Sequence, residues 1–143
     1  MYIVFQQVHS YLAWVLLIAL TLIILSALSQ LLRKKPFSTR FKLLALSGFI
    51  LSHLQLLIGI VVYLISPFGI SSFSGEMMTD SVMRLYLLEH PLTMIISIVL
   101  ISLGYIKSKK PGDDVRRYKT VIIYYSAGLL FMLVRIPWDV WPF

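Results

Sequence analysis

Three histidines stand among apolar residues in this chain: His9, His53 and His90. An ionisable side chain inside a long apolar run is costly and usually has a chemical reason to be there. With His90 as reference, Thr93, Ser97, Ile101 and Gly104 follow at offsets of 3, 7, 11 and 14. At about 100° per residue these residues share one narrow helical face. That face is small and polar, so His90 is expected to point into a helix bundle. His9 heads a similar stripe with Ala13, Leu16, Leu20 and Ala27. Two imidazoles at a similar depth on opposite helices could sandwich a flat metal macrocycle. His53 differs. It lies off the stripe Gly48, Ser52, Gln55 and Gly59, and nearer the middle of its run. Glu89 sits beside His90, and Arg135 falls near the end of the fourth run at the level expected for His9 and His90. Each of these has a plain alternative. The histidines could bond helices together, Arg135 could reach out to the interface, and Glu89 could simply pair with Arg84 or Arg135.

The elements that must carry these residues are four apolar runs, at about 10–32, 42–66, 85–106 and 120–138. Of 143 residues, 59% are hydrophobic and only 13% charged, which is outside the range of ordinary soluble domains. Each run approaches the roughly 20 residues a helix needs to cross a bilayer. The runs are continuous rather than alternating, so helices are expected rather than a barrel. The predicted fold is all-α: an integral membrane four-helix bundle of up-down topology, one domain over 1–143. The first run has no basic residue before it and no small-residue cleavage site after it, so it is expected to stay as an anchor. The segment 67–84 is the longest connection, and 76–84 could form a short helix on the membrane surface.

Charge gives the expected orientation. Of the 13 Lys and Arg residues, 11 lie in two short connections, Arg33–Lys42 and Lys107–Lys119. Such connections remain cytoplasmic. Both termini and 67–84 are then expected on the outer, periplasmic side of an inner membrane. The net charge of +7 is read as a topology signal that also attracts anionic lipid. No nucleic-acid recognition module accompanies it. The absence of cysteine excludes disulfides, iron–sulfur ligation and covalent haem attachment, but not a haem held by histidines.

Three segments resemble a known family. His53–Val62, "HLQLLIGIVV", is similar to the Gln-Gly-x-Leu-Gly segment of the haem A synthase superfamily, with Gln55 and Gly59 in matching positions and Leu56 in place of a glycine. Met83–Met94, "MRLYLLEHPLTM", resembles its Arg-Leu-x-x-His segment, with a longer spacing before the histidine. Gln6–Trp14, "QQVHSYLAW", resembles its Glu-x-x-His segment, with Gln6 replacing the glutamate. The full length also resembles small Bacteroidetes membrane proteins described as b-type cytochromes, through Lys35–Phe37, His53–Gly59, Glu89-His90 and Ile136–Trp138. The resemblance implies a bundle that binds haem b through His9 and His90, with Arg135 or Arg84 near its propionates. It implies no synthase activity, because the carboxylate at position 6 and the second four-helix half are missing. His53 could then support a ligand, line a quinone pocket or ligate in an alternative pairing. The implied function is electron transfer between quinone and an outer acceptor. A cofactor-free accessory subunit of a larger membrane complex, or a homo-oligomer, is the alternative. A site acting on a small lipid-soluble substrate through Glu89, His90 and Arg135 is a third.

The basic asymmetry has a direct test. A reporter fused after Phe143 should be read outside, and one inserted near Pro111 should be read in the cytoplasm. The reverse pattern would invert the assigned orientation.

Overall fold

The computed structural model describes residues 1–141. Pro142 and Phe143, where the C-terminal reporter would join, lie outside the described residues. Among the described residues there is no strand. Four long helices carry the chain: α1 (Tyr2–Leu32), α2 (Thr39–Ile65), α3 (Ser81–Lys109) and α4 (Asp114–Val134).

Local chemistry sets their ends. Ser38 accepts from the Phe41 N–H at 3.2 Å and caps α2. Asp80 accepts from the Val82 and Met83 N–H groups at 2.9 and 2.8 Å and starts α3. Asp113 accepts from the Arg116 N–H at 3.4 Å ahead of α4. Such caps satisfy N–H groups that have no partner within the helix. Pro67 forces Ser66 into extended backbone and so ends α2. After α1, Lys34 takes a φ of 51°, and Pro36 prevents the helix from continuing.

The first three helices are long and apolar enough to cross a membrane; α4 is not among them. Its early turns carry Arg116, Arg117 and Lys119, and it stops at Val134 rather than running on to 138. Pro137 restricts the backbone of the residue before it and helps to close the helix early. The expected surface helix over 76–84 is present in two pieces, a 3₁₀ turn at Met77–Thr79 and the first turn of α3.

In the bundle, α1 packs beside α2 and α4, and α3 also packs beside α2 and α4. Thus α1 lies opposite α3, as the sequence implied for the helices bearing His9 and His90. The buried faces follow the predicted stripes on the first three helices: Leu16, Leu20 and Ala27 on α1, Gly48, Ser52 and Gln55 on α2, and Ser97, Ile101 and Gly104 on α3. On α4 the buried face is Tyr118, Val121, Tyr125, Gly128 and Met132. Helical spacing in the sequence aligns Val121, Tyr124, Gly128, Phe131 and Arg135 on one face; Val121 and Gly128 are inside as that spacing gives, but Tyr125 and Met132 take the places of Tyr124 and Phe131, because the large aromatic that fills the core is Tyr125. Large apolar side chains such as Ile18, Leu57, Val99 and Ile123 face outward instead. Small and polar residues inside with aliphatic residues outside suit contact with lipid.

Close approach of α3 and α4 depends on two glycines. A Cβ on Gly104 would lie 2.6 Å from the Tyr124 Cβ, and one on Gly128 would lie 2.8 Å from the Ile101 Cγ1 and 3.0 Å from the Ser97 carbonyl oxygen. These neighbours are backbone, or close to it, and cannot give way. Gly104→Ala should therefore destabilise the bundle by about 1–3 kcal/mol, the usual cost of overpacking. Gly75→Ala, where a Cβ meets nothing within 4 Å, should stay within about 0.5 kcal/mol. Thermal unfolding in detergent reads both, and equal midpoints would refute the packing account.

Candidate functional site

At the end of the bundle away from the basic turns, the structure brings together His9, Gln55, Gly59, Glu89, His90 and Arg135. His9 and His90 face each other across the bundle diagonal, with ring centroids 6.4 Å apart and planes at 79°. Both rings are partly buried.

His90 is held by the end of α4. Its Nδ1–H donates to the Arg135 carbonyl at 2.8 Å. A carbonyl can only accept, so the proton is on Nδ1 and the Nε2 lone pair is left free. Fixing one imidazole nitrogen on a carbonyl is how proteins orient a histidine for metal binding at the other. Arg135 thus contributes a backbone atom that periodicity did not foresee, available because α4 ends at Val134.

His9 is held from α2. The Gln55 side-chain amide donates to the His9 carbonyl at 3.0 Å and lies 3.4 Å from His9 Nε2. An amide N–H facing Nε2 makes that nitrogen an acceptor and puts the proton on Nδ1. His9 Nδ1 and Gln55 Oε1 are both buried without a partner. The ring edge rests on Gly59, where a Cβ would come within 3.0 Å of His9 Cε1. Gln55 and Gly59 therefore act together: one bonds His9 and the other leaves room for it.

Glu89 is gripped from two sides. Arg84 Nε donates to Oε1 at 2.9 Å, and Arg135 Nε lies 3.5 Å from Oε2. Arg84 also donates to the Met78 carbonyl at 3.3 Å, which ties the 67–84 connection to this cluster. All three side chains are partly exposed, so the ion pairs act more by position than by strength.

The helix beneath is irregular. Leu85–Glu89 forms a π-helical turn inside α3, a feature frequent at functional sites. Pro91 has no N–H to offer the Leu87 carbonyl four residues earlier. The Tyr63 hydroxyl donates to that carbonyl at 2.9 Å instead. Thr93 donates back to the Glu89 carbonyl at 2.7 Å. The sequence signal for the role of Tyr63 is Pro91, which strips a donor from a carbonyl on the next helix.

His53 stands apart from this cluster. It is six residues from Gly59 along α2, about 9 Å by helical rise. Its Nδ1–H donates to the Phe49 carbonyl at 2.7 Å, its ring packs on Phe49 at 4.2 Å, and its Nε2 is 3.5 Å from Ser102 Oγ on α3. Among the described residues no group of three or more His, Cys, Asp or Glu side chains converges on one point. No family model matches the chain, and no curated protein and no solved structure matches it.

Proposed function

We propose that the chain is a membrane b-type cytochrome-like protein that holds haem b between His9 and His90 and passes electrons between a membrane quinone and an acceptor on the side of the histidines. The carrying observation is the juxtaposition of the two imidazoles. Their centroids lie 6.4 Å apart across the bundle.

The residues present fit the group in type and in level along the bundle. His90 would offer Nε2, since Nδ1 is committed to the Arg135 carbonyl. His9 would have to rotate away from the Gln55 amide to offer Nε2, after which Gln55 could bond it only through a new contact. The unpartnered His9 Nδ1 and Gln55 Oε1 support such a rearrangement, because a buried donor and acceptor left unpaired are each costly. Haem bound there would supply a one-electron couple. Arg84 and Arg135 set the local field beside the site, and Glu89 opposes it. Gly59 gives His9 room to turn.

The accessory-subunit reading keeps one observation of its own. His9, Gln55, His90 and the Arg135 carbonyl already bond α1 to α2 and α3 to α4 without a ligand. Visible spectra of the purified chain separate the two. Under the cytochrome reading, haem-loaded protein shows a six-coordinate low-spin spectrum. His90→Ala abolishes it, His9→Ala abolishes it or leaves a high-spin remnant, and His53→Ala retains it. No haem absorption when haem is supplied would favour the accessory subunit. Loss in His53→Ala with retention in His9→Ala would move the ligation deeper.

The arginine–glutamate cluster predicts opposite shifts in potential. Arg135→Leu removes a positive charge and should lower the reduction potential, whereas Glu89→Gln removes a negative one and should raise it. Each shift should be on the order of tens of millivolts for charges near a partly solvated site. Redox titration measures both, and shifts of the same sign would remove these groups from the haem's surroundings.

A further inference from the structure

At the opposite, basic end, a pocket of about 260 Å³ lies between α3 and α4 under the Pro111-Gly112 turn. Lys107, Lys110, Arg116, Arg117, Thr120 and Tyr124 line it. Two of these cations are already held in place. The Arg117 guanidinium donates to the Ser108 carbonyl at 2.8 Å and lies 4.1 Å above the Phe37 ring. The Lys107 ammonium bonds the Tyr124 hydroxyl and lies 4.7 Å from the centre of its ring.

The nearby carboxylates do not line the pocket. Asp113 caps the Arg116 N–H, and Asp114 is 3.7 Å from Arg117. Among the described residues, Lys107, Lys110 and Arg116 have no carboxylate within 4.0 Å. The pocket therefore gathers four cations, of which only Arg117 has a carboxylate partner, and fixing two of them in advance lowers the ordering cost of binding an anion.

We propose that this pocket binds the phosphate of an anionic phospholipid head group. A phosphate oxyanion suits guanidinium and ammonium donors together, and basic pockets between membrane helices take lipid head groups. The source is lipid rather than free phosphate because the site adjoins an apolar outer surface. Ile106 and Ile123, each next to a lining residue in the chain, are 52% and 63% exposed and offer acyl chains a path beside the head group. A second basic pocket at this end, lined by Arg33, Lys35 and Arg40 among others, is wider at about 720 Å³. Among the described residues, none of its cations has a carboxylate, ring or carbonyl fixing its head group, so it serves as the comparison.

The test reconstitutes the full chain in phosphatidylcholine nanodiscs with and without phosphatidylglycerol. Native mass spectrometry after release then counts retained phosphatidylglycerol. Lys110→Gln with Arg116→Gln should reduce retention roughly tenfold or more, as expected for two cations beside a head group. Arg33→Gln with Arg40→Gln, which removes the same charge from the wider pocket, should leave retention near wild type. Circular dichroism confirms that both variants stay helical. Equal losses in the two double variants would reduce the effect to diffuse attraction and overturn the proposal, as would no loss in Lys110→Gln with Arg116→Gln. Retention that survives excess inorganic phosphate supports the lipid source; displacement by it would assign the pocket to a soluble oxyanion and overturn the lipid assignment.

Discussion

The centre of this bundle is organised by one side chain, Tyr125. Its ring lies between two glycines, with Cε1 3.1 Å from where a Gly48 Cβ would stand and Cδ2 3.2 Å from a Gly104 Cβ. Its hydroxyl crosses from α4 to donate to the Ala45 carbonyl on α2 at 2.7 Å. A fully buried phenol must find such a partner. Because a single ring joins opposite helices here, the middle of the bundle is closed. The polar clusters at its two ends are thereby separated by a packed apolar layer of Leu20, Ile23, Ile101 and Val121.

Each end is then organised by different forces. At the basic end, Phe37, Phe41 and Tyr118 pack with centroids 4.9–5.1 Å apart. The Tyr118 hydroxyl donates toward Gln30 and the Pro36 carbonyl at 3.0 Å each, which fixes the first turn against α4. The histidine end has few large aromatics inside. It is held by hydrogen bonds between side chains and helix carbonyls, an arrangement with more freedom to exchange partners than close-packed rings allow. The less rigidly packed end is where local opening is expected to be easiest.

What could be read from the sequence was whatever obeys helical periodicity. The inward stripes on the first three helices follow from residue types at 3.6-residue spacing, and the diagonal placement of α1 and α3, which lets His9 meet His90, follows from connections that run round an up-down bundle in order. Gln55 was marked by the small-polar stripe, but its bonding to His9 was not, because a stripe gives direction and not contact. The fourth helix misled because Tyr124 and Tyr125 are neighbours of equal polarity. Only the space left by Gly48 and Gly104 decides which of them enters the core. The Arg135 carbonyl and Tyr63 escaped for another reason. Both act where a helix ends or loses a backbone bond, and periodicity is silent at such places.

The π-helical turn at Leu85–Glu89 has a consequence for how this protein can vary. Such a turn accommodates one residue more than the α-helical path it replaces, so the segment above it is out of phase with the stripe of Ser97, Ile101 and Gly104 below by about 100°. It works as a clutch in the helix. Insertions or deletions on the loop side can be taken up there while His90 and Gly104 remain in register with their neighbours on α4. A change of length in the 67–84 connection can therefore be absorbed without repacking the lower part of α3.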